Sequence, residues 1–167
     1  DITAPYVAGS LKANEKLTRS EKLMQGINIW TSFYRARPDV FAEEYLGISL
    51  KPFQKVLLYV MIHYNYTMFF ASRGLGKSWL VALYCVVKCI LYPGTKIIIA
   101  SKTKEQAMNL VSEKIPELIS LSTTGMIERE IDGSIKTSMN TSDPNIVFLN
   151  DSWIKVEPAT QNARSKR

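Results

Sequence analysis

Apolar and polar positions follow two different periods along this chain, and the changes of period mark its elements. The opening through Ser20 is polar and lysine-rich and reads as an arm, and Glu21 to Tyr34 reads as a helix. Pro38 followed by Asp39 to Tyr45 predicts a short helix that stops near Gly47. Pro52 suits the first turn of another helix reaching about His63, with Val56, Leu57, Val60 and Met61 as its apolar stripe. Thr67 to Ala71 reads as a short aromatic strand, and Ser72 to Gly76 as a glycine-containing loop. Lys77 to Leu91 then predicts a helix apolar on nearly every side, as one packed into a sheet would be. Pro93-Gly94 interrupts, and Lys96-Ile97-Ile98-Ile99-Ala100 has the unbroken β-branched run of a buried parallel strand. Thr103 with Gln106 forms a capping-box pattern that opens a helix to about Ile119.

Past Leu121 the pattern changes. Ile131-Asp132-Gly133-Ser134-Ile135 reads as a hairpin turn and Thr137 to Asn145 as a polar loop. Ile146 to Leu149 and Trp153 to Val156 read as strands joined by Asn150-Asp151. Strand, helix, strand, helix, with a hairpin inserted before the next crossover, predicts an α/β fold: a partial parallel sheet flanked by helices, with right-handed connections.

Composition narrows the class. The 167 residues suit one domain or part of a larger one, at about 150 residues per domain. Apolar residues at 46% and charged residues at 22% are ordinary for a globular chain. The longest apolar run, Trp79 to Leu91, is broken by Lys88 and is shorter than the roughly 18 residues a membrane span needs, so no membrane partner is expected. No cationic segment with an apolar core opens the chain, so no secretory signal is read, although Asp1 is not an initiator Met and a preceding segment is possible. Cys85 and Cys89 lie four apart on a helical pattern with His63 as the sole histidine, which disfavours zinc and suits reduced core thiols. The net charge of +6 is modest, but no acidic residue lies between Glu44 and Glu105, where Lys51, Lys55, Arg73, Lys77, Lys88, Lys96, Lys102 and Lys104 all fall. That region should attract polyanions, although chance clustering on a solvated face gives the same count.

The chemistry sits at Ala71-Ser72-Arg73-Gly74-Leu75-Gly76-Lys77-Ser78. A phosphate-binding loop asks for glycine, four residues, then Gly-Lys-Ser/Thr, between a strand and a helix. Backbone N–H groups of such a loop and of the helix start can wrap phosphate oxygens. Lys77 would reach the β- and γ-phosphates of ATP, and the Ser78 hydroxyl would be a ligand to Mg²⁺. Ala71 stands where the pattern has its first glycine, which is tolerable unless φ must be positive there.

With an arginine inside the loop and no leading glycine, Ser72-Arg73-Gly74-Leu75-Gly76-Lys77-Ser78 resembles the Walker A variant of the large terminase subunit, the DNA-packaging motor of tailed phages. Superfamily-two helicases usually carry Gly or Thr-Gly where Arg73 stands. Upstream, Leu50-Lys51-Pro52-Phe53-Gln54 is similar to the family's adenine-recognition element. Downstream, Ala100 to Ala107 is similar to the segment after its second strand, and Phe148 to Ile154 with Asn162 to Arg167 to the stretch before Walker B. Asp151 and Ser165 depart from the glycines common there. The likeness runs from about Phe41 to Arg167.

The resemblance implies a P-loop NTPase of the RecA-like, ASCE type, with residues 1–37 an arm and helix and 38–167 the N-terminal part of the ATPase domain. It implies ATP and Mg²⁺ as cofactors, with Phe53, Gln54, Ser72, Arg73, Gly74, Leu75, Gly76, Lys77 and Ser78 binding nucleotide. Arg73 and Lys77 would be catalytic, Arg73 as a cis-acting arginine. The Gln54 amide, a donor and an acceptor at once, suits the N6 and N7 edge of adenine, although a lone Gln at a helix start is more often a solvated residue. Phe53 would stack on the base or fill core. Lys102 and Lys104 face DNA or simply solvate a helix start. Implied partners are double-stranded DNA, the portal protein, the small terminase subunit and further copies in a ring, at the procapsid's portal vertex in the host cytoplasm. No apolar strand ending in Asp-Glu occurs, so the Walker B aspartate and the catalytic glutamate are expected past Arg167 with the nuclease domain, and this chain alone is expected to bind nucleotide without turning it over. A superfamily-two helicase-like ATPase, a small-molecule P-loop kinase and a non-catalytic interaction module are the alternatives.

Overall fold

The computed structural model describes residues 18–72, 74–101, 103–138 and 143–158. The arm through Leu17, Arg73, Lys102 and 159–167 lie outside the described residues. The chain divides into two compact units, Asp1–Phe33 and Tyr34–Arg167. Helix α1 (Arg19–Ala36), of which 19–33 belong to the first unit, begins at a reciprocal cap: the Glu21 N–H donates to the Thr18 hydroxyl, and the Thr18 N–H donates to the Glu21 carboxylate at 2.7 Å. Leu23, Met24, Ile27 and Ile29 on this helix are exposed.

In the second unit α2 (Pro38–Val40) widens into a π-type turn at Phe41–Tyr45 and stops at Gly47, where φ is +67° and a side chain would run into Thr123. Helix α3 (Pro52–His63) begins with proline, which loses no needed N–H there. Its buried face is Leu58, Met61 and Ile62, which keeps Met61 of the expected stripe, with Leu57 partly buried against the core, but leaves Val56 62% exposed. The face is rotated by about one residue because α3 carries apolar residues on two sides and packing against α4, not periodicity, selects one. Helix α4 (Lys77–Leu91) supplies the centre of the core with Leu80, Ala82, Leu83, Cys85, Val86, Val87, Cys89 and Leu91 all buried. Each such large side chain contributes about 1.5–3 kcal/mol on burial.

Strand β1 (Lys96–Ser101) lies where expected but is not the buried strand its β-branched run suggests: its residues alternate between exposed and half-buried, with Ile98 61% exposed. The Thr103 hydroxyl accepts the Gln106 N–H to start α5 (Lys104–Asn109). That helix widens at Leu110–Lys114 and resumes as α6 (Ile115–Leu121), since Pro116 has no N–H to continue a regular ladder. A short α7 (Met126–Glu130) follows. Strands β2 (Ile146–Val147) and β3 (Trp153–Pro158) complete a three-stranded sheet of order β1-β3-β2.

Three further expectations need correction. The sheet is mixed rather than parallel: β1 pairs with β3 in parallel, Ile97 opposite Ile154, while β2 pairs with β3 antiparallel, Val147 opposite Trp153. The tight turn lies at 148–152, where two strands only a few residues apart must pair antiparallel. Second, Ile131–Ile135 is no hairpin turn. Ile131 bridges Phe148, and the Asp132 and Lys136 N–H groups donate to the Val147 and Asn145 carbonyls, so this stretch lies alongside 145–148 and the polar segment after it makes the connection. Third, Thr67–Ala71 is not a strand: it carries no regular secondary structure, because no laterally hydrogen-bonded neighbour pairs with it among the described residues. Tyr66, Met68 and Phe70 along its outer side are 97%, 83% and 92% exposed.

Asn145 ties these pieces together. Its N–H donates to the Ile154 carbonyl, its Oδ1 accepts the Val156 N–H at 2.9 Å, and its Nδ2 donates to the Lys136 carbonyl at 2.8 Å. The β2–β3 turn docks on the end of α4: Asn150 Nδ2 donates to the Cys89 and Ile90 carbonyls, and the Ser152 and Thr95 hydroxyls donate to Tyr92.

Candidate functional site

The loop between segment 67–71 and α4 is closed by its own lysine. Lys77 Nζ donates to the Ala71 carbonyl at 2.8 Å and to the Ser72 carbonyl at 2.9 Å, six and five residues back. An ammonium has three donors, so the loop takes two and one is left to point at an anion. Gly74 and Gly76 hold φ of +88° and +72°, a backbone that residues with a Cβ rarely adopt and that turns successive N–H groups toward one side. Gly76 begins α4 without any side-chain cap, so the first N–H groups of a fifteen-residue helix are unsatisfied by it. Such a helix start concentrates positive potential and donors where a phosphate would bind.

Ala71, the departure from the loop pattern, costs nothing: among the described residues Asp151 is the non-glycine residue with positive φ, so position 71 does not require glycine. Ser72, Gly74, Leu75 and Ser78 are exposed around the lysine, and Arg73 lies outside the described residues. Lys77 and Ser78 open onto a cavity of about 610 Å³ whose wall includes Phe69, Ile99 and Ala100 and whose polar groups include Ser101, Gln106 and Glu113. That volume is in the range of small-molecule sites. The Ser101 hydroxyl donates to Gln106 Oε1 at 3.1 Å, which turns the amide nitrogen outward.

The sequence marks Gln106 only as a helix cap and gives Glu113 no role, and draws attention to Lys102 and Lys104 instead. The capping signal at Thr103 could have found them, because Gln106, Asn109, Leu110 and Glu113 then fall on one helical face.

Phe53 and Gln54 do not line this cavity. They sit in the first turn of α3, where Gln54 Oε1 accepts the Lys51 N–H at 2.8 Å. That bond restrains the amide and uses one Oε1 lone pair, leaving the Nε2 donors and the other lone pair for further partners. Phe53 is 43% exposed, so it is not filling core.

The acid-free stretch is less uniformly available than its count suggests. Lys55 is held at 2.7 Å by Glu43, which lies just outside it. Lys88 donates to the Ile62 carbonyl and stacks on Tyr92, and burial lowers its pKa. Lys51 and Lys96 are exposed. Both cysteines are buried and free, and burial pushes the Cys85 thiol up to about 12, so no thiol nucleophile is present near neutral pH. No protein-family model matches the chain, and no curated protein matches it.

Proposed function

We propose that this chain is the nucleotide-binding part of an ATP-driven DNA-packaging motor of the large-terminase type. The observation that carries the reading is the Lys77 ammonium bridging the Ala71 and Ser72 carbonyls at the uncapped start of α4. These two bonds hold the loop backbone around the ammonium, and a fixed loop loses less freedom on binding a phosphate. In this reading Lys77 offers its remaining donor to the β- and γ-phosphates, the N–H groups of Gly74 to Ser78 surround their oxygens, and Arg73 offsets γ-phosphate charge. Ser78, exposed beside Lys77, suits a Mg²⁺ ligand. When bound, the ion offsets charge on the phosphate oxygens. The restrained amide of Gln54 and the exposed ring of Phe53 suit recognition of the adenine edge and face. Double-stranded DNA, a portal ring, a small terminase subunit and neighbouring copies are the partners this proposal entails, at the procapsid in the host cytoplasm.

Titration calorimetry with millimolar ATP tests it. Lys77→Ala should remove most of the affinity while leaving the thermal unfolding curve in place, because Lys77 sits on the loop and not in the core. An unchanged affinity would end the phosphate-loop reading.

A further inference from the structure

We propose that Glu43 is a positioning residue for base recognition. The inference rests on the reading that Phe53 and Gln54 face adenine. Glu43 belongs to the wide turn that ends α2, flanked by side chains that cannot shift freely: Phe41 and Ala42 before it and Leu46 after it are fully buried. One carboxylate oxygen accepts the Leu50 N–H at 3.3 Å, and the other accepts Lys55 Nζ at 2.7 Å. A single anchored carboxylate thus grips both ends of the segment 50–55. Between those ends, Gln54 bonds the Lys51 N–H, and Pro52 fixes φ at the helix start. Leu50 is itself buried. The turn presenting Phe53 and Gln54 is therefore fixed relative to α2 by charge-assisted bonds at two points.

Stability alone does not account for this arrangement. The Glu43 and Lys55 side chains are each about one-third exposed, at 33% and 35%, and ion pairs this wet contribute little to folding. What they fix is a direction. Base recognition depends on placing one amide edge and one ring within a fraction of an ångström, and loss of that placement weakens binding without removing any group that touches the ligand.

The test compares ATP with inorganic tripolyphosphate, which has phosphates and no base, on the full chain by titration calorimetry. Glu43→Ala should weaken ATP roughly three- to tenfold and leave tripolyphosphate unchanged. Glu43→Gln keeps an acceptor for the Leu50 N–H and should recover most of the loss. Thermal unfolding of both variants should stay within a few degrees of the parent, about the change expected from losing a surface pair. If Glu43→Ala unfolds, Lys55→Met carries the comparison and should shift the ratio of the two affinities, with Glu43→Gln staying closer to the parent. Lys77→Ala separates the two layers of the argument. If it leaves tripolyphosphate binding intact, the phosphate-loop reading fails and this inference fails with it. If it abolishes that binding while the ATP-to-tripolyphosphate ratio is the same in every Glu43 and Lys55 variant, only the positioning role is overturned.

Discussion

Gln54 Oε1 accepts the Lys51 backbone N–H at 2.8 Å, so the residue proposed to read adenine is also the cap of its own helix. The two roles use different atoms and can be separated. Gln54→Glu keeps an oxygen for the Lys51 N–H but loses the Nε2 donors. It should hold the melting temperature and lose the preference for ATP over tripolyphosphate. Gln54→Ala should lose both, with about 1 kcal/mol of stability gone with the cap. A Glu variant that retains the full ATP preference would leave Gln54 as a cap only.

Magnesium dependence reports on Ser78. In the parent chain Mg²⁺ should tighten ATP binding on the order of fivefold, and chelation with EDTA should reverse the gain. Ser78→Ala should bind ATP equally with and without the ion, and its stability should not change because the hydroxyl is exposed. Equal magnesium responses in parent and variant would remove Ser78 from the metal site.

Asn145 makes the most consequential prediction for folding. Asn145→Ala leaves the Val156 N–H and the Lys136 carbonyl without their partners, and both Asn145 and Val156 are almost wholly buried, at 3% exposure each. About 2–3 kcal/mol of stability should be lost. Urea denaturation measures it, and a loss below about 0.5 kcal/mol would mean that water substitutes for the amide.

Asp151 offers the opposite sign. It is exposed and holds φ at +64° in the turn between β2 and β3. Glycine adopts that backbone freely, so Asp151→Gly should stabilise the chain by about 0.5–1 kcal/mol. This is also one of the positions where the resembling family favours glycine, and the positive φ supplies a physical reason for that preference. Reduced stability in the variant would show that the Asp151 carboxylate holds the turn.

What the sequence made legible is what adjacent residues decide. The α4 and β1 boundaries, the Thr103 cap, the stop at Gly47 and the Asn150-Asp151 turn all follow from caps, glycines and β-branched runs within a few positions. The Thr18 and Glu21 cap was equally local and went unread. The errors share a different cause. Whether 67–71 is a strand depends on a neighbour far along the chain, and which side of α3 is buried depends on α4. Asn145 stood in a run of Ser, Thr and Asn that reads as solvated loop, yet its amide bonds backbone at Lys136 and Val156. At the candidate site, Gly74 to Ser78 were legible because the loop is contiguous. The hold of Glu43 on Leu50 and Lys55 was not, because an exposed-looking carboxylate gives no hint of which amide it will meet.

The loop that Lys77 closes is suspended between two very different supports. On one side α4 is hydrogen-bonded along its length and buried. On the other, 66–72 has no lateral neighbour among the described residues. In hydrogen–deuterium exchange the first should be slow and the second close to unprotected, so the lysine tethers a soft segment to a hard one. An anion seated on the loop would restrain the soft side through the Ala71 and Ser72 carbonyls. Occupancy would then register as slowed exchange along the aromatic segment, a built-in reporter of whether the loop is filled.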